Sequence, residues 1–124
     1  MNEFEKTKTT IRKIVNECPW GKEQTLEKHI EELKLELEEL KEAFEKNDLE
    51  ELRGELGDVF YDSLFLLMLA EKENGMNIEE IIKQVREKVE RRKPYVFGDM
   101  KVDTKEEALR IWNEIKQKEK EQNK

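Results

Sequence analysis

The chain has 124 residues, 44% of them charged, with a net charge of −7 and only five Gly and two Pro. A chain of that length supports one domain that buries roughly two thirds of its unfolded surface, and its composition is that of long amphipathic helices, so an all-α protein is expected. The longest uncharged run, eight residues from Ser63 to Ala70, falls well short of the ~20 needed to span a bilayer, and the excess of acids argues against general nucleic-acid binding.

The N-terminus is acidic and polar rather than signal-like, and the single Cys18 allows neither an internal disulfide nor a cysteine-rich zinc site. Both features predict a soluble, cytoplasmic protein. In chain order, Phe4, Ile11, Ile14 and Val15 recur at helical spacing over about 3–16, and "CPWG" breaks that helix. The second helix, about 25–46 and capped by Thr25, carries Leu26, Ile30, Leu33, Leu37, Leu40 and Phe44 at alternating steps of four and three, a heptad seam. Asp48, with Glu51 three residues on, opens a third helix over about 49–73, and the short connection makes the two an antiparallel hairpin. Asn74 and Gly75 close the third helix, and Asn77 opens a fourth over about 78–92. Pro94 makes "KPYVFGDM" a connector. Thr104 starts a last helix with Ala108, Ile111, Trp112 and Ile115, which frays into a polar tail, 118–124. The expected architecture is a single domain, 1–124, in which about five helices form a bundle on the long hairpin.

Beside the apolar seam of the second helix runs another of the same spacing: His29, Glu32, Glu36, Glu39 and Ala43. On the third helix Glu55, Asp58 and Asp62 lie in a stripe that continues into Leu66 and Leu69. Facing each other across the hairpin, these stripes bring Glu36, Glu39, Glu55 and Asp58 together. Four carboxylates do not all remain ionised at close range without cations. Oxygen ligation selects a hard ion, Mg²⁺ with Mn²⁺ as substitute. Ile81, Val85, Lys88 and Arg92 share one face of the fourth helix, so Lys88 and Arg92 either point inward, placed to meet phosphate, or snorkel at the helix end, where Arg91, Arg92 and Lys93 complement its C-terminal dipole. Arg91, about 100° round the helix, is expected in solvent. On periodicity alone Trp112 reads as core and Lys116 as solvent-facing.

The blocks "CPWGKEQT", "LELEELKEAF", "DLEELRGELGDVFYDSLF" and "VERRKPYVFGD", in that order, resemble the MazG nucleoside triphosphate pyrophosphohydrolases over about residues 16–117. The resemblance implies the family's all-α fold and Mg²⁺-dependent cleavage of nucleoside triphosphates, NTP or dNTP, between the α and β phosphates in nucleotide-pool housecleaning. It implies metal ligands at Glu36, Glu39, Glu55 and Asp58, which also act as the catalytic set. It implies nucleotide contacts at Lys88, Arg92, Trp112 and Lys116, and a homodimer or higher homo-oligomer. Two departures stand out: Leu35 replaces the first Glu of the metal block, and Gly21 replaces the Asp of "CPWD". The alternatives are a non-enzymatic helical module whose acidic seam pairs with a basic partner, or the same chemistry confined to dNTPs or an alarmone.

Overall fold

Four short polar side chains set where the long helices begin. Asn2, Thr25, Asp48 and Thr104 each accept a hydrogen bond from the backbone N–H three residues on, at 2.9, 3.2, 3.1 and 3.2 Å, which satisfies a donor that the first turn leaves unpaired. They open α1 (Glu3–Glu17), α3 (Leu26–Glu45), α4 (Leu49–Asn74) and α7 (Lys105–Gln122). Gly75, at φ 67°, closes α4 in the left-handed conformation that glycine adopts without penalty. The computed structural model describes residues 1–123, and every regular element within them is helical.

Two further short helices stand where the sequence predicts only a break and a connector: α2 (Pro19–Glu23) and α6 (Pro94–Phe97). Both begin on a proline, which is preset for a first helical turn and has no N–H to leave unpaired. The remaining helix, α5 (Ile78–Arg92), has the expected limits. The last helix departs from expectation, since α7 continues through the predicted tail to Gln122. Lys124, the end of that tail, lies outside the described residues.

Contacts divide the chain into two units, Met1–Ile78 and the stretch from Glu79 onward. In the first, α3 and α4 form the antiparallel hairpin and α1 packs on α4. Ile11 and Val15 of α1 and Leu64, Phe65, Met68 and Leu69 of α4 are its buried core, each side chain stabilising the fold by about 1.5–3 kcal/mol. Gly21 is buried, and a Cβ there would stand 2.1 Å from the Ile14 carbonyl oxygen. The absence of a carboxylate at this position is therefore a matter of close packing between α1 and α2.

The face that α3 buries is not its heptad seam. His29 and Ala43 are buried and Glu36 is half-buried, whereas Ile30, Leu37 and Phe44 are exposed. The polar seam faces α4, and half of the leucine-rich one lies open. No helix among the described residues is long and apolar enough to cross a membrane.

Candidate functional site

The hairpin register builds the acidic cluster. Glu36 and Glu39 are three residues apart on α3 and so share a face, and Glu55 enters from α4. One carboxylate oxygen of each lies within 4.8 Å of the other two. Asp58, one turn along α4, is exposed and stands outside this trio, but its charge is felt by Glu36 and Glu39.

The electrostatics are those of carboxylates held close together. Burial, a hydrogen bond with Glu55 and the charges of Glu39, Asp58 and Glu55 push the Glu36 carboxyl from 4.5 up to about 7. The charge of Glu55, then burial, raises Glu39 as well. The buried oxygens Glu36 Oε2 and Glu55 Oε2 have no hydrogen-bond partner among the described residues. Buried carboxylate oxygens are normally satisfied. Convergent, unsatisfied oxygens on two rigid helices suit a hard divalent cation. Leu35 is 60% exposed, so its position lies on the outer side of α3.

Farther along the same stripe, Asp62 accepts from or donates to His29 across the hairpin, Nε2 to Oδ1, at 3.0 Å. Both residues are buried, and burial pushes the Asp62 pKa up against the opposing pull of His29. This pairing explains how a carboxylate is tolerated in a core stripe. Sequence reasoning noted both residues but did not pair them. The signal was present, because stepping two turns back along α3 from Glu36 and two turns on along α4 from Glu55 reaches His29 and Asp62. The His29 ring stacks on Phe65, centroids 4.3 Å apart, and half-exposed Trp20 leans on the same Phe65 at 5.4 Å. Gly54 and Gly57 face open space, and nothing in the structure explains them.

The second unit gathers the cations. Lys88, Arg91, Arg92, Lys116 and Lys120 line a cavity of about 520 Å³, which brings Lys88, Arg92 and Lys116 together. Trp112 is half-buried rather than core, with the Arg92 guanidinium 5.1 Å and the Lys93 ammonium 4.9 Å from its ring centroid. Arg91 is exposed, as expected, and its guanidinium shares Glu119 with Arg92. Glu119, in the stretch read as a fraying tail, was missed. It lies seven residues from Trp112 and hence on the same helix face.

Residues 24–97 match the model of the MazG nucleotide pyrophosphohydrolase domain. The chain is 33% identical over 125 residues to a nucleoside triphosphate pyrophosphohydrolase of Escherichia coli strain K12, covering 98% of this chain and 48% of that protein. It is 34% identical over 103 residues to the nucleoside triphosphate pyrophosphohydrolase/pyrophosphatase MazG of Thermotoga maritima, covering 83% of this chain and 39% of that one. The chain thus spans half or less of the length of these curated relatives. The crystal structure of a mazG-related protein from Thermotoga maritima superposes with a TM-score of 0.83 at 39% identity, over 91% of this chain and 98% of that one.

Proposed function

This chain belongs to the MazG nucleotide pyrophosphohydrolase family, and we propose that it hydrolyses nucleoside triphosphates to the monophosphate and pyrophosphate with Mg²⁺, for which Mn²⁺ substitutes. The observation that carries this reading is the meeting of Glu36, Glu39 and Glu55 oxygens within 4.8 Å, with Glu36 and Glu55 each contributing a buried oxygen that has no hydrogen-bond partner among the described residues. Glu36, Glu39 and Glu55, with Asp58 one turn further along α4, would hold the metal. A divalent cation held there would neutralise phosphate charge and lower the pKa of a bound water.

The remaining steps fall to the chain's own groups. One of the four carboxylates accepts the proton of the attacking water as its oxygen bonds to the α-phosphorus. The bond to the bridging oxygen breaks and pyrophosphate departs. Lys88, Arg92 and Lys116 bind phosphate oxygens as point charges and as a guanidinium fork. Trp112, whose ring already meets two cations, packs on the base or ribose.

We further propose that the protein is a homodimer in the cytoplasm. Ile30, Leu37 and Phe44 of α3 and Leu49, Leu56 and Phe60 of α4 are all at least 45% exposed. A row of large apolar side chains on one hairpin is uncommon on a monomer surface, and a second copy supplies a matching row through two-fold symmetry. The test of function is a panel of ribo- and deoxynucleoside triphosphates incubated with Mg²⁺ and, in parallel, with EDTA. Monophosphate and pyrophosphate in the first arm alone support the reading, and diphosphate with orthophosphate as first products refutes it.

A further inference from the structure

Arg91 and Arg92 are consecutive on α5, so their side chains leave the helix about 100° apart and would ordinarily diverge. They converge because Glu119, on α7, binds both. Its Oε1 accepts from Arg92 Nε at 3.0 Å and Nη2 at 2.8 Å. Its Oε2 accepts from Arg91 Nε at 2.8 Å and lies 2.8 Å from Arg91 Nη2. The side chains of Glu119 and Arg92 are 18% and 13% exposed, against 53% for Arg91.

Each guanidinium therefore commits one edge, the Nε side, to a single carboxylate oxygen. The opposite edge, bearing Nη1, is not committed to Glu119, and a guanidinium carries five donors in a rigid fork. Arg92 is held a second time by the Trp112 ring, 5.1 Å from its centroid. Around the same cavity stand Lys88, Lys116 and Lys120, so one carboxylate faces five cations and the surplus is strongly positive. That surplus suits an anion with several charges.

We infer that Glu119 is a positioning residue for this anion-binding cluster, clamping Arg91 and Arg92 by their inner edges so that their outer edges present a ready-made double fork to a polyphosphate. The inference rests on the reading that Arg92 binds the substrate's phosphates. A long arginine side chain ordered before the ligand arrives loses less freedom on binding. The hydrogen bonds from Arg92 and Arg91 also hold the Glu119 pKa below its ordinary value, so the clamp stays ionised at neutral pH. A carboxylate that merely filled an empty anion site would do the reverse, since phosphate would have to displace it.

The test is steady-state kinetics on one nucleoside triphosphate at saturating Mg²⁺ for the unaltered protein, Glu119→Gln, Arg92→Ala and the double variant, with melting curves for each. Glu119→Gln should raise KM about 5- to 20-fold with kcat within about twofold, the loss expected for misplaced charged hydrogen bonds. In the Arg92→Ala background the same change should add less than about twofold. Glu119→Asp retracts the carboxylate by about one bond, ~1.5 Å, yet keeps the charge that ties α7 to α5. It should give an intermediate KM at an unchanged melting temperature, and it carries the test if Glu119→Gln does not fold. Unchanged or lowered KM in both Glu119 variants overturns the inference, as does a full-size effect of Glu119→Gln without Arg92. No change in KM for Arg92→Ala alone refutes the underlying reading of Arg92, and the clamp's role falls with it.

Discussion

Replacing Glu36 by Gln should stabilise the metal-free protein at alkaline pH and remove its response to Mg²⁺. The Glu36 carboxyl rises from 4.5 to about 7, mainly through burial, so the folded protein holds this proton more tightly than the unfolded chain does. Its contribution to stability is fully present below about pH 4.5 and is lost as pH rises toward about 7. The shift sets a ceiling of ~3 kcal/mol at 1.36 kcal/mol per pH unit, which screening of a half-buried group reduces to about 1–2 kcal/mol. Glutamine has nothing to ionise. In EDTA at pH 8, Glu36→Gln should therefore be the more stable by about 1–2 kcal/mol, a rise of roughly 3–8 °C in Tm for a chain of this size. At pH 4.5 the two should melt together. Addition of Mg²⁺ at pH 8 should raise the Tm of the unaltered protein in a concentration-dependent way and leave the variant nearly unmoved. Urea and thermal melts by circular dichroism at both pH values measure all of this. A stability difference that does not change with pH, or an equal Mg²⁺ shift in both proteins, would refute the reasoning.

Asp58→Asn and Glu39→Gln should each lower turnover at least about a hundredfold with the helical spectrum kept, because a ligand charge is removed from the metal. Near-normal kcat would take that residue out of the site. His29→Leu should destabilise the fold by about 3 kcal/mol, since it strands the buried Asp62 carboxylate, while His29→Leu with Asp62→Leu should recover most of the loss in urea melts. Phe44, 67% exposed, is a sensitive probe of assembly: Phe44→Asp together with Leu37→Asp should turn the dimer into a monomer by light scattering, and an unaltered mass would locate the interface elsewhere.

The long helices were legible in the sequence because their caps and periodicities agree: Asp48, Thr25, Thr104 and Gly75 all act at the ends that their chemistry implies. The acidic seam was legible because residues three and four apart on a helix must share a face, and Glu36, Glu39 and Glu55 meet accordingly. Burial was less so. The leucines of α3 announce a seam, but the pattern does not say whether the hairpin or another surface receives it, and in this fold α4 takes the polar side. The helices α2 and α6 were read as breaks because proline is both a breaker and a starter. Glu119 escaped notice because, in a run of alternating Lys and Glu, only the tertiary fold selects the one carboxylate that finds two arginines.

The central claim, that water attacks the α-phosphorus, is tested most directly by hydrolysis of a nucleoside triphosphate in ¹⁸O-enriched water with Mg²⁺, followed by mass spectrometry of the products. One ¹⁸O in the nucleoside monophosphate, unlabelled pyrophosphate and no turnover in EDTA are the predicted result. Label in pyrophosphate, or in orthophosphate released beside a nucleoside diphosphate, would contradict it.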